Sequence, residues 1–303
     1  MSFKALLIAL STMLLQSISQ AAVFGDGSPE NGIEDQRLIP ARGQPSAMSA
    51  VGTIICDGGL RGTATHIKSS LIDTNHAIIV TAAHILFDTK SGKTYSSCSY
   101  LPENKRLSAI SFKSISEHSF DPTNTDKIAQ SENDIVFVAL ARPLQQPALL
   151  LQDTQSIGGG KLSLLGYNSS QNQLTESADC KVYSSTQFAS EKLFLHDCDA
   201  KSGASGGPLL LQTAKDQPAK LIAVHGGTLL INRMGEAASK SNSNSASRDG
   251  AVANPERWIN QARRIDQSVL LRLQQFVAYL AKGSQGQRLH PEQSPEYEHP
   301  WRL

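Results

Sequence analysis

Three short stretches of this chain carry side chains that could together perform nucleophilic chemistry. The first is Gly203-Ala204-Ser205-Gly206-Gly207-Pro208, a serine set among glycines. Without Cβ atoms to obstruct it, such a turn lets backbone N–H groups approach a negatively charged oxygen forming beside the serine. A serine hydroxyl is a weak nucleophile and needs a base to take its proton and a further group to orient that base. His84 is the candidate base, in Thr81-Ala82-Ala83-His84 directly after the apolar Ile78-Ile79-Val80. Asp134 is the candidate orienting group, at the head of Ile135-Val136-Phe137-Val138-Ala139-Leu140. A lone acid leading into a buried strand needs a hydrogen-bonded partner to stay ionised, and an imidazole can be that partner.

The elements around these residues read as short strands. From Ala47 onward, β-type runs such as Val51–Cys56, Gly62–Ile67, Ala77–Thr81, Ile135–Leu140, Leu162–Gly166, Pro208–Leu211 and Leu221–Val224 are separated by Gly, Asn, Asp and Ser clusters. That spacing predicts an all-β sandwich or barrel and argues against βαβ units. One helix stands out near the C-terminal end. Asp266 is placed as its N-cap, and Val269, Leu270, Leu273, Phe276, Val277 and Leu280 form one apolar stripe that ends before Gly283. A stripe of that width and length packs on a protein body, so a helix is predicted over 266–282.

Composition narrows the function classes. The 28 Lys and Arg nearly cancel the 27 Asp and Glu, and only 18% of the 303 residues are charged. This balance excludes a binder that holds nucleic acid through a basic field, and a charge-rich disordered chain. At the N-terminus, Lys4, the apolar stretch Ala5 to Leu15 and Ser19-Gln20-Ala21 read as a signal peptide over 1–21. The apolar stretch is too short to cross a hydrocarbon core of ~30 Å as a helix. Residues 22–46 read as an N-terminal extension or propeptide, 236–254 as a Ser/Asn-rich exposed loop, and 284–303 as a polar tail. An exported chain, periplasmic or secreted, is the expectation, with its four cysteines in two disulfides. Three pairings are possible. Cys56 with Cys98 and Cys180 with Cys198 is the expected one, because each pair stays within its own half of the chain. A zinc site is disfavoured, since neither C-x-x-C nor a nearby His pair is present.

Taken together, the three blocks resemble those of the chymotrypsin-like serine endopeptidases. That family's pattern holds T-A-A-H, a D-I followed by apolar residues, and G-x-S-G-G-P, in the order His, Asp, Ser. The resemblance runs from about Val51 to Ala281. It implies two antiparallel six-stranded β-barrels and a C-terminal α-helix. The N-barrel is then expected over about 47–145 and the C-barrel over about 146–265, within a peptidase domain of 47–283. It also implies Ser205 as nucleophile, His84 as general base and Asp134 as its orienter, with the N–H groups of Gly203 and Ser205 forming an oxyanion hole. No metal or organic cofactor is implied. The expected partner is a protein or peptide substrate, with no nucleic acid and a monomeric enzyme.

The Gly203–Gly207 stretch also fits G-x-S-x-G, the nucleophile elbow of α/β-hydrolases. There a helix must follow the serine, whereas Gly206-Gly207-Pro208 is a poor helix start and Leu209-Leu210-Leu211 reads as a strand. The chain departs from the trypsin pattern in two ways. Ala204 precedes the serine where trypsin-like zymogens carry Asp, and no I-V-G-G is present, Arg37-Leu38-Ile39-Pro40 being the nearest candidate for a new N-terminus. Ile85 follows the histidine where the family's commonest disulfide needs Cys. Both departures, with His196-Asp197-Cys198-Asp199, are similar to the bacterial branch of staphylococcal-type glutamyl endopeptidases. By that resemblance the primary pocket is walled by His225, Gly226, Gly227 and Thr228, and His225 would receive an acidic side chain. Asp199, six residues before Ser205, instead occupies the place of the acid that selects Lys or Arg in trypsin. The rival from another class is an inactive homologue that binds a protein in its cleft.

Overall fold

The computed structural model describes residues 37–39, 47–72, 76–88, 91–103, 107–153, 158, 160–168, 173–183, 190–214, 217–230 and 258–283. The signal segment 1–21, the Ser/Asn-rich loop 236–254 and the tail 284–303 lie outside the described residues.

The apolar runs of the first half form β1 (Val51–Cys56), β2 (Gly59–Lys68), β3 (Ile78–Thr81), β4 (Cys98–Pro102), β5 (Ile110–Ile115) and β6 (Val136–Leu140). They pair in the order β1-β4-β5-β6-β3-β2, and an antiparallel β1–β2 ladder closes them into a six-stranded barrel. A short parallel strand, β7 (Leu149–Leu150), lies outside on β2. Strands β3 and β6 are buried along their whole length. Continuous β-branched and aromatic runs suit strands with no solvated face, and Ile79, Val80 and Val138 are fully buried.

The second half forms β8 (Lys161–Asn168), β9 (Gln173–Cys180), β10 (Val182–Tyr183), β11 (Leu193–His196), β12 (Pro208–Gln212), β13 (Lys220–Leu230) and β14 (Trp258–Arg264). Their order is β10-β11-β14-β13-β12-β8-β9. This sheet curls without a closing ladder among the described residues. Its two ends, β9 and β10, are parted only by Lys181, so one bent stretch of chain bonds β8 with its first part and β11 with its second. Counted as one strand, they make this sheet six-stranded as well. The architecture is chymotrypsin-like.

Two α-helices accompany the sheets among the described residues. The short α1 (Lys127–Glu132) is capped by Asp126, whose carboxylate accepts the Ile128 and Ala129 N–H groups, and it leads directly to Asp134. The C-terminal α2 (Gln267–Gly283) buries Val269, Leu273, Phe276, Val277 and Leu280 in the same apolar cluster as Ile54, Phe137, Leu210 and Val224. One helix thereby seals a core to which both sheets contribute. Asp266 caps it through the Val269 N–H at 3.0 Å. Disulfides join Cys56 to Cys98 across the β1–β4 ladder and Cys180, at the end of β9, to Cys198. Within the 22–46 segment, Leu38 pairs with the edge of β9, exchanging two backbone hydrogen bonds with Glu176 at 2.8 Å.

Candidate active site

His84 sits in a 3-10 turn, Ala83–Leu86, just past the end of β3. Asp134 lies in the short passage between α1 and β6 and is 3% exposed. Because β3 and β6 are neighbours in the barrel, the two residues meet at one end of that strand pair. The Asp134 carboxylate grips His84 at two points. Its Oδ1 accepts the backbone N–H at 2.8 Å and its Oδ2 accepts Nδ1–H at 2.7 Å. This commits the ring to the tautomer in which Nε2 carries the lone pair, leaving Nε2 as the acceptor of any further proton. One side of the ring faces Phe120, with centroids 6.3 Å apart, and Phe120 is backed by Phe87, itself met edge-on by His118. Burial pushes the His118 ring below the usual histidine range, Arg272 adds to the push, and Asp134 opposes it.

Ser205 comes from the other half, in the turn that opens β12, and is 7% exposed. The turn is held by hydrogen bonds from Ala204 N to Lys201 O, from Gly206 N to His225 O and from Gly207 N to Ala204 O. Gly206 has φ +84°, and a Cβ there would lie 2.0 Å from Thr63 O and 2.2 Å from Thr81 Oγ1. Only glycine fits that position, both for its dihedral and for the closeness of the first barrel. A strand and not a helix follows the serine, so the turn is not a nucleophile elbow. Ser205 O accepts the Thr63 N–H at 2.7 Å, and the Cβ position of Gly62 lies 2.7 Å from Ser205 O and 3.1 Å from Ile85. The serine backbone and the residue that follows His84 thus flank the same glycine, across the junction of the two sheets.

The wall expected from His225 to Thr228 runs along β13 beside this turn. His225 N donates to Gly207 O at 2.8 Å. The β13–β14 register slips between His225 and Gly227, which makes Gly226 the extra residue of a β-bulge. A Cβ on Gly226 would lie 2.2 Å from Gln261 Nε2 and 3.0 Å from Asp134 Oδ2, so the bulge brings β13 against Asp134. His225 is fully buried, and its Nδ1 lies 3.3 Å from Nε2 of His196, also fully buried. Burial lowers His225 to about 3, with the nearby His84 adding to the effect and the Gln261 backbone opposing it. Burial likewise drives His196 well below its usual value, reinforced by His225. Both rings are neutral at physiological pH. Thr228 Oγ1 donates to Asn260 Oδ1 at 2.8 Å, and Asn260 Nδ2 donates to Cys198 O at 2.7 Å, tying the wall to the disulfide loop. Asp199 is 4% exposed on that loop, its backbone N–H bonded to Ser177 Oγ at 2.8 Å.

The sequence pointed to His84, Asp134, Ser205 and the β13 wall, but gave no role to Thr63, His196, Asn260 or Gln261. His196 entered only as the first residue of the His196-Asp197-Cys198-Asp199 segment, with nothing to link it to His225. Thr63 and Gln261 carry no local signal at all. Among the described residues no cluster of His, Cys, Asp and Glu is arranged to hold a metal ion, and no helix is long and apolar enough to cross a membrane.

The chymotrypsin-like fold, with a carboxylate-held histidine beside the first barrel and a glycine-bounded serine in the second sheet, is that of the trypsin-like serine proteases. In agreement, residues 62–215, just over half of the chain, match the trypsin-like peptidase domain family, and the chain belongs to that family. Solved structures share the fold at low sequence identity. A Glu endopeptidase in complex with MPD superposes with a TM-score of 0.55 at 15% identity, covering 81% of this chain and 98% of its own. The protease Anisep from Arthrobacter nicotinovorans gives a TM-score of 0.52 at 11% identity, covering 77% of this chain and 98% of its own. A thermostable serine protease, AL20, from an extremophilic microorganism gives 0.51 at 12% identity, covering 80% and 100%. No curated protein sequence matches the chain.

Proposed function

We propose that this chain is an exported serine endopeptidase that cleaves peptide bonds through Ser205, His84 and Asp134. The observation that carries this reading is the two-point grip of Asp134 on His84, at 2.8 and 2.7 Å. Ser205 Oγ attacks the scissile carbonyl carbon while His84 Nε2 takes the hydroxyl proton. The carbonyl oxygen becomes an oxyanion facing the N–H groups of Gly203 and Ser205. Collapse breaks the C–N bond, His84 delivers its proton to the leaving amine, and the acyl group remains on Ser205. Water, activated by the same histidine, then releases the acid. Asp134 stays ionised throughout and stabilises the imidazolium.

Export rests on the signal pattern over 1–21, and the two disulfides suit an oxidising compartment. The 22–46 segment is an N-terminal extension or propeptide. For the pocket, an acidic residue on the acyl side of the scissile bond is the preference supported best. If His196 Nε2–H donates to His225 Nδ1, His225 presents Nε2–H as a donor, and this Nε2 meets no partner of good hydrogen-bond geometry among the described residues. A neutral donor of this kind, beside Thr228, can receive a carboxylate without a buried cation. Selection of Lys or Arg by Asp199 is the competing pocket chemistry, and a peptide library decides between them. Cleavage after Glu or Asp supports His225; cleavage after Lys or Arg supports Asp199; an aliphatic preference overturns both.

A fluorophosphonate probe tests the enzymatic reading. Folded protein should be labelled at Ser205 only, and Ser205→Ala should abolish labelling and lower turnover by about 10⁴–10⁶-fold. Folded wild-type protein that resists the probe would instead be a binding homologue.

A further inference from the structure

Thr63, on β2 of the first barrel, reaches across to the serine turn with both its backbone and its side chain. Its side chain is fully buried. Its N–H donates to Ser205 O at 2.7 Å, and its Oγ1–H donates to Gly203 O at 2.6 Å. The same Oγ1 accepts the Tyr167 N–H at 2.9 Å, while Thr63 O accepts Thr81 Oγ1 at 2.7 Å. Thr81 stands three residues before His84.

The consequence lies in the peptide planes of the turn. Each peptide unit is rigid, so holding its C=O also fixes the direction of its N–H. The plane joining Gly203 to Ala204 is pinned at both ends, its C=O by Thr63 Oγ1 and its N–H by Lys201 O. The plane joining Ser205 to Gly206 is pinned likewise, its C=O by the Thr63 N–H and its N–H by His225 O. The plane between them carries the Ser205 N–H, and the plane before them carries the Gly203 N–H. Those are the two proposed oxyanion donors.

We infer that Thr63 is a positioning residue for the oxyanion hole: from the histidine-bearing barrel it clamps two alternate peptide planes so that the Gly203 and Ser205 N–H groups converge. This rests on the serine endopeptidase reading above. The clamp needs a hydroxyl on the side chain at position 63 and not merely a β-branched one.

Thr63→Val and Thr63→Ser test it, with peptide hydrolysis, affinity for a peptide aldehyde inhibitor and fluorophosphonate labelling as readouts. Val keeps the shape and the backbone N–H but removes the hydroxyl. It should lower kcat by about 10- to 100-fold, less than the 10²–10³ expected for deleting an oxyanion donor itself, with KM changed by less than about twofold. Aldehyde affinity should fall by the same factor as kcat/KM, since the aldehyde adduct carries the same oxygen into the hole. Ser restores the donor and should return kcat to within about threefold of wild type. The kcat/KM pH profile should keep its shape, because the His84–Asp134 pair is untouched. Where Val fails to fold, Thr63→Ala, which leaves space for a water on Gly203 O, is measured in the same way. A variant with wild-type kcat and aldehyde affinity but a lower Tm would reduce Thr63 to a structural role and overturn the inference. Wild-type protein that fails to react with the probe would instead sink the endopeptidase reading, so the two failures are distinguishable.

Discussion

Asp134 holds His84 by its backbone as well as by its ring, through Oδ1 to the His84 N–H at 2.8 Å and Oδ2 to Nδ1 at 2.7 Å. A carboxylate used in this way fixes the imidazole in place and in tautomer at once. The buried setting of Asp134, 3% exposed, keeps competing water away from both bonds.

Asp134→Asn therefore separates geometry from charge. The amide oxygen can still accept one N–H, but the NH2 group facing Nδ1 selects the opposite tautomer and puts a proton on Nε2. We expect kcat to fall by about 10⁴-fold while KM for a peptide changes little. Steady-state kinetics near neutral pH checks this. A loss of less than about tenfold would remove Asp134 from the mechanism.

The buried imidazoles make stability pH-dependent on the acid side. An unfolded histidine takes up its proton near 6.5, whereas folded His225 does so only near 3 and His196 is also driven far down. As pH falls from about 6.5 toward 3, the unfolded state binds the protons, so stability is lost across that window and is unaffected above it. Each ring contributes a slope of up to about 1.4 kcal/mol per pH unit. Tm measured from pH 7 to pH 4 should fall more steeply in wild type than in the double variant His196→Asn, His225→Asn. Parallel curves would contradict the shifts.

Arg263 and Asp266 anchor the C-terminal helix from within. Arg263 Nη1 donates to Asp266 Oδ2 at 2.7 Å, and its side chain is 2% exposed. Burial pushes the Asp266 carboxyl up, yet hydrogen bonds from Arg263, Ser268 and the Val269 N–H outweigh it and hold it at about 2. This stabilisation is complete above the ordinary value of 3.8 and disappears as pH falls toward 2. Asp266→Ala removes a cap and strands a buried guanidinium, for a loss of about 3–5 kcal/mol by chemical denaturation. Asp266→Asn, which keeps an acceptor for Val269 N–H, should cost less than half as much.

Two glycines with similar dihedrals should respond differently to alanine. Gly58 has φ +76° and nothing within 4 Å of the place a methyl would take, whereas at Gly206, φ +84°, that methyl would lie 2.0 Å from Thr63 O. Gly58→Ala meets only the dihedral penalty of about 1–2 kcal/mol. Gly206→Ala adds a backbone clash and should displace Ser205, abolishing fluorophosphonate labelling even in whatever fraction folds. Equal Tm shifts for the two variants would show that the turn is not packed on Thr63.

Much of the arrangement was legible in the sequence because it depends on local pattern. Continuous apolar runs marked β3, β6 and β12, and the stripe from Val269 to Leu280 marked the helix that seals the core. The Cys56–Cys98 and Cys180–Cys198 bonds followed from keeping each pair within its own half. By contrast β14, Trp-Ile-Asn-Gln-Ala-Arg-Arg, has too many polar residues to announce a buried strand. Its Asn260 and Arg263 are buried because partners on β13, α1 and the disulfide loop receive them.

By itself, then, the sequence determined which residues are the candidates for the chemistry: a serine in a glycine-bounded turn, a histidine behind a buried strand, and an acid at the head of another. Only the tertiary structure decided what holds them in register. Thr63 meets Gly203 across 140 positions of chain, and His196 meets His225 across 29. Periodicity and turn chemistry act over a few residues and leave no trace of such contacts. They exist because two separately formed sheets dock, and a buried hydroxyl or imidazole must then find its partner on whatever surface arrives opposite.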